Sequence, residues 1–180
     1  MKLHLGCGER YLDGYTHIDI AEFDHIDFKS SVDKLDMIED NSCELIYASH
    51  VLEYFDIEEA RSVLSEWRRV LIENGILRLA VPNIEKLIEV YNKTNDLQKI
   101  LGPLYGKWKV NNMSNNIYHK TVYDMKNLST LLTEVGYKKI KTWSWQEELP
   151  KDYDDHSKAY YPHMDFDSGI HISLNIECIK

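Results

Sequence analysis

The chain opens MKLHLGCGERYLDGYTHIDI, and this stretch constrains what the rest can become. Leu3-His4-Leu5 is a short apolar-edged run that ends directly on Gly6-Cys7-Gly8. Tyr15 to Ile18 is a second strand-like run with Asp19 at its tip. Glycines at a strand end let the backbone pass close to a ligand, because no Cβ intervenes and positive φ is open to them. An acid at the next strand's tip can accept two hydrogen bonds from the hydroxyls of a ribose. The layout predicts a nucleoside pocket; for a G-x-G taken alone, a tight turn with no ligand is the plainer alternative.

The spacing bears on which nucleoside. The dinucleotide fingerprint G-x-G-x-x-G needs a third glycine, where this chain has Tyr11. It also places its acid about 20 residues on, whereas Asp19 follows soon after Gly8. That interval leaves no room for an ordinary helix of roughly 11 residues plus its turns, so no phosphate-binding helix start is expected. A cofactor without phosphates fits better.

A chain of 180 residues predicts one domain, 1–180, large enough to bury a full core. With 28% charged and 43% hydrophobic residues it should be globular. Its net charge of −9 argues against a nucleic-acid partner, which demands a basic face. Cys7, Cys43 and Cys178 show no C-x-x-C spacing and are odd in number, which predicts a reducing, cytoplasmic setting rather than a disulfide framework. No apolar run approaches the ~18 residues of a membrane span, and Met1 leads straight into a strand, so neither membrane insertion nor a signal sequence is expected.

Further along, a third strand is expected to end near Ser31-Val32, and Cys43 to Ala48 reads as a compact apolar strand. Ile57, Ala60, Val63, Leu64, Trp67, Val70 and Leu71 fall at helical spacing behind Asp56 as N-cap, with Asn74-Gly75 as the expected stop. Ile76 to Val81 is a strand closed by Pro82, and Asn83 can cap a further helix. Residues 93–120 lose periodicity and carry an Asn-rich run, Asn111 to Asn116. Asp124 to Val135 reads as a helix stopped by Gly136, Tyr137 to Trp145 as a strand, and 146–168 as a second long irregular segment. From Ile170 to Cys178 apolar residues alternate with His171, Ser173, Asn175 and Glu177, which predicts a half-buried strand with a solvent-facing side. Alternating strands and helices predict a parallel sheet, and the last two strands can pair antiparallel.

In order and spacing these motifs resemble the class I S-adenosylmethionine methyltransferases over nearly the whole chain. Gly6-Cys7-Gly8, the Ile18-Asp19-Ile20 strand end, the run Asp40 to Phe55 and the turn Leu71 to Asn83 look most like a small subgroup associated with surface-polysaccharide assembly. Two departures stand out: Glu44 replaces a usual Asp, and Tyr54 replaces a common His. The resemblance implies an α/β, Rossmann-like three-layer sandwich with a mostly parallel seven-stranded sheet and an antiparallel C-terminal strand. It implies S-adenosyl-L-methionine as cofactor: Gly6, Cys7 and Gly8 beside its methionine end, Asp19 on the ribose, Ser31 and Val32 beside the adenine, Ser49 and His50 on the other side. Residues 93–120 and 146–168 would cover the substrate.

Methyl transfer from a sulfonium needs a nucleophile held in line and, for a hydroxyl, a base to take its proton. Imidazole suits that task because its pKa lies near working pH. His119, in the irregular segment before a helix, is the first candidate and His50 the second; a surface histidine and a residue acting only through its backbone are the alternatives. Asp154, Asp155 and His156 form a third cluster, otherwise a solvated loop. Tyr153, Tyr160, Tyr161 and His163 could line a sugar-sized pocket or simply pack their loop. His4, Cys7 and His17 match no zinc spacing, and no metal is expected. The leading expectation is O-methylation of a small acceptor such as a sugar, nucleotide-sugar or phosphorylated glycan precursor. A nicotinamide-dependent oxidoreductase and a non-catalytic cofactor-binding or partner protein on the same fold stand beside it.

Overall fold

The computed structural model describes residues 1–109 and 116–180; most of the Asn-rich run lies outside them. Among the described residues nine strands form in chain order: β1 Lys2–Leu5, β2 Thr16–Asp19, β3 Phe28–Lys29, β4 Cys43–Ser49, β5 Leu71–Pro82, β6 Lys138–Thr142, β7 Tyr160–Tyr161, β8 Ile170–His171 and β9 Ser173–Ile179. Five helices join them: α1 Ile57–Val70, α2 Ile84–Thr94, α3 Gln98–Tyr105, α4 Met125–Val135 and the single turn α5 Trp145–Glu148. Seven strands build one sheet in the order β3-β2-β1-β4-β5-β9-β6, and β7 pairs with β8 apart from it. The first five are parallel, and β9 runs antiparallel between β5 and β6. This is the expected Rossmann-like sheet, seven-stranded and mostly parallel with an antiparallel C-terminal strand.

Strand alternation divides the side chains between two faces. Leu3, Leu5, Ile46, Ala48, Leu77, Leu79, Leu174 and Ile176 meet α1 and α4 in the main core, with Trp67 at its centre. Asp56 caps α1, as expected from the sequence, and Glu59 completes a capping box with it. α1 also anchors the loop after β3: Trp67 Nε1 donates to the Val32 carbonyl at 2.8 Å, and Leu35 N donates to Glu66 at 3.0 Å.

The opposite face departs from expectation. Ser173, Asn175 and Glu177 are buried, not solvent-facing, because β9 is an inner strand and residues 143–161 lie over it. Tyr47, Trp143, Leu149 and Tyr153 form a second core there with Leu12 and Ala80. Polar groups of that face find partners in the covering segment: Tyr47 donates to Asp155 at 2.5 Å, and Asn175 Nδ2 donates to the Ser157 carbonyl at 3.0 Å. Arg78 meets Glu177 through Nε at 2.9 Å and also reaches Glu148 at 2.8 Å.

Other boundaries move. β3 is only two residues long and ends before Ser31. α1 stops at Val70, and β5 begins at once; Asn74, at φ 64°, sits in an irregularity of that strand instead of ending the helix. Residues 93–120 contain α3, which has Gly102 and Pro103 inside it. Segment 146–168 contains a 3-10 turn, His156–Lys158, and His171 belongs to the small sheet and not to the last long strand.

Candidate functional site

A cleft of about 1200 Å³ opens at the carboxyl ends of the parallel strands, where ligands of open α/β sheets sit. One side is the turn after β1. Gly6 and Gly8 take φ 61° and 56°, conformations that an L-residue adopts only under strain. A Cβ on Gly6 would strike Val51 at 2.5 Å, so Gly6 is needed for packing. A Cβ on Gly8 would meet nothing within 4 Å, so Gly8 leaves room for a ligand. Asp19 fastens this turn: Oδ2 accepts from Gly8 N at 2.8 Å and Oδ1 from Ala21 N at 2.7 Å. No helix intervenes between β1 and β2, as their spacing required.

Ser31, Val32, Ser49 and His50 line the same cleft. Cys7 also lines it, but its buried thiol is pushed up to about 12, chiefly by desolvation and then by Asp19, so it stays protonated. Arg10 lines the cleft while its Nε donates to the Asp154 carbonyl at 2.8 Å; it has no carboxylate partner among the described residues. The residues expected on the cofactor side from the sequence all line this one cleft.

The far wall comes from the end of α3 and the segment before α4. His119 is there, its Nδ1 3.0 Å from the Pro103 carbonyl and its ring edge-on to Tyr54 at 4.7 Å between centroids. Gly106 leans on this ring so closely that a Cβ would lie 1.9 Å from Nε2. His50 sits at the β4 tip with φ 54°, a strained conformation of the kind that clusters at functional sites. Burial is the first cause that lowers the pKa of both rings, so both are held neutral.

Sequence reasoning missed Glu53. Its side chain is fully buried between His50 Nδ1 at 3.3 Å and His119 Nε2 at 3.8 Å. The available signal was an acid inside the apolar run Val51-Leu52-Glu53-Tyr54-Phe55. Trp108 and Tyr118 on the cleft wall were also passed over. Of the third candidate cluster only His156 reaches the cleft, its ring 5.2 Å from His50, while Asp155 is spent on Tyr47 and Ser157. Tyr153 is buried in the second core, and Tyr160 stacks on His171; neither lines the cleft. Among the described residues, no group of three or more His, Cys, Asp or Glu is arranged to hold a metal ion.

The model of a methyltransferase domain matches residues 15–79, from just before β2 through most of β5. That stretch of the chain is similar to a methyltransferase domain. No curated protein matches the chain. Among solved structures it is similar to a SAM-dependent methyltransferase from Archaeoglobus fulgidus, at 17% identity and TM-score 0.58, over 99% of this chain and 85% of that one. A second, from Methanosarcina mazei, is 16% identical at TM-score 0.60, over 99% and 91%. A DhpI–SAH complex is 12% identical at TM-score 0.58, over 98% and 74%. These likenesses show the fold, which this chain shares with those proteins. Among the described residues, no helix is long and apolar enough to cross a membrane.

Proposed function

We propose that the chain is an S-adenosylmethionine-dependent methyltransferase that transfers a methyl group to a hydroxyl of a small acceptor: a sugar, a nucleotide-sugar or a phosphorylated glycan precursor used in polysaccharide assembly. The observation that carries the reading is one cleft with two unlike walls. The glycine turn, Asp19, Ser31, Val32 and Ser49 form one; His119, with Tyr54, Trp108 and Tyr118, forms the other, and His50 stands between them. The first wall suits a nucleoside without phosphates, with the open face of Gly8 toward it, Asp19 by the ribose, Ser31 and Val32 by the adenine, and Arg10 for a carboxylate. The bound cofactor supplies a methyl already activated by a positive sulfur. What the chain adds is orientation, the exclusion of water, and a place for the hydroxyl proton. Aromatic rings on the second wall suit the apolar faces of a sugar. His50 takes the proton and His119 stands behind it across Glu53. Three free, buried cysteines fit a reducing, cytoplasmic setting.

Isothermal calorimetry tests the reading. S-adenosylhomocysteine should bind and NAD should not, because the missing helix between β1 and β2 leaves nothing to hold a pyrophosphate. Tight binding of NAD with no response to S-adenosylhomocysteine sinks it in favour of an oxidoreductase. Binding without turnover of any hydroxyl acceptor points to a non-catalytic protein.

A further inference from the structure

Glu53 lies just behind the cleft wall, 0% exposed, and neither of its carboxylate oxygens has a hydrogen-bond partner. Two imidazole nitrogens, His50 Nδ1 at 3.3 Å and His119 Nε2 at 3.8 Å, converge on the same oxygen, Oε1. The tautomer of each ring is fixed from outside. His119 Nδ1 faces the Pro103 carbonyl, which can only accept, so the hydrogen is on Nδ1 and the lone pair on Nε2. For His50 the chain is longer. Asn175 Nδ2 donates to the Ser157 carbonyl, which turns Oδ1 to accept from Ser173 Oγ at 2.8 Å. The Ser173 hydrogen is thereby used, so Oγ accepts from His50 Nε2 at 3.2 Å. His50 Nδ1 is left with its lone pair toward Glu53. Two imidazole lone pairs thus face one carboxylate oxygen, an arrangement that repels unless a proton stands between them.

We propose that Glu53 is a positioning residue that keeps this proton: in the resting protein it is a neutral acid shared at Oε1 between His50 and His119, and in turnover it ends a proton path that enters at His50 Nε2. The role in turnover rests on the methyl-transfer reading; the resting proton does not. Burial pushes the Glu53 carboxyl up to about 8 and holds both rings below the usual imidazole range, so the proton belongs on the acid. The ionisable groups around the cluster agree. Tyr54 and Tyr123 beside Glu53 are neutral, and Lys120 turns its Nζ away to Glu59. His156 and His171 near His50 are lowered by burial and neutral, and Asp56 lies beyond Tyr123. Arg10, farther out, disfavours a charged His50.

The active form has lost the shared proton to solvent. His50 then donates from Nδ1 to the carboxylate and carries its lone pair on Nε2, where Ser173 turns its hydrogen until the acceptor arrives. The acceptor hydroxyl gives its proton to Nε2 as its oxygen bonds the methyl carbon, and the electron pair of the broken carbon–sulfur bond stays on sulfur. The Nδ1 proton passes to Glu53 Oε1, which restores the resting tautomer and the neutral acid. His119, locked on Pro103, supplies the fixed lone pair that favours the acid.

The test needs neither acceptor nor turnover. Infrared spectra of the free protein at about pH 6 and about pH 9 bracket the expected transition. A protonated-carboxyl band should be present at the lower pH, vanish with a midpoint near 8, and be missing from Glu53→Gln. Histidine 15N spectra of the wild type should give Nδ1–H for His119 and Nε2–H for His50, with His50 changing tautomer through the same midpoint. In Glu53→Gln, whose amide offers two hydrogens to the two lone pairs, both tautomers should hold across the range. An ionised Glu53 at the lower pH, or a His50 tautomer that ignores the transition, overturns the proposal. The wild-type titration decides even where the variant does not fold, and calorimetry with S-adenosylhomocysteine judges the methyl-transfer reading separately.

Discussion

Asp19 gives one oxygen to Gly8 N and the other to Ala21 N, so its charge closes the glycine turn before any ligand arrives. Each oxygen keeps a further lone pair, and these are what a ribose hydroxyl would meet. Asp19→Ala should therefore reduce stability as well as affinity. Hydrogen bonds to a charged acceptor are worth ~1.5–3 kcal/mol each, and a domain of this size loses about 2–4 °C per kcal/mol. A thermal melt should fall by at least about 6 °C, and S-adenosylhomocysteine should restore little of it; an unchanged melt would show that the turn holds without Asp19. That Gly6, Gly8, Asp19 and Ser49 share one cleft was legible because each sits at or just past a strand end, where turn chemistry is written locally. Glu53 was not. Its meaning depends on His119, which is far away in the chain and close only in the fold.

β9 shows the same division among elements. Its alternation was plain in the sequence, and its antiparallel pairing was allowed by the connection before it and implied by the resemblance, but alternation alone reports two unlike faces and not what covers the polar one. Arg78 on β5 and Glu177 on β9 face each other across the register, both 7% exposed. Burial pushes Glu177 up, but Arg78 and Lys141 outweigh it and hold the carboxyl below its usual range. Removing one partner leaves a buried charge with only its more exposed second partner, Glu148 for Arg78 or Lys141 for Glu177. The cost then falls to the low end of the roughly 3–5 kcal/mol of an unpaired buried ion, whereas an apolar pair of similar volume is often neutral. Arg78→Met and Glu177→Leu should each lower stability by about that amount, and the double variant by much less than the sum. Denaturant unfolding of all four proteins gives the coupling; additive losses would mean that the pair does not act as a pair. α3 and α5 escaped the sequence reading for simpler reasons: the first has Gly102-Pro103 inside it, and the second is a single turn.

For the molecule as a whole, buried histidines and Glu53 pull stability in opposite directions with pH. Burial lowers His4 to about 3 and also lowers His17, His50, His119, His156 and His171. Groups whose folded pKa is depressed favour folding above the unfolded imidazole value of ~6.5, and that advantage is lost as pH falls. Glu53 is raised to about 8, so its contribution is complete at low pH and is lost as pH rises to that value. Several protons oppose one below ~6.5, and only the one remains between there and 8. Stability should peak near pH ~6.5 and then decline by about 1.4 kcal/mol per pH unit, a slope absent from Glu53→Gln. Urea midpoints across pH check this; a flat profile above the peak would show that Glu53 is already ionised.

The cover on the polar sheet face comes late in the chain. On a ribosome, strands β1 to β5 emerge well before residues 143–161 that will cover them. Until then the unfinished sheet turns His4, His17, Tyr47 and Arg78 outward on that side. Exposed apolar surface is what makes incomplete chains aggregate; here a nascent chain shows its neighbours a mixed face, those polar groups interspersed with Leu12, Leu45 and Ala80, and keeps its greasier side against α1. The arrangement that delays completion of the fold also protects it while it waits.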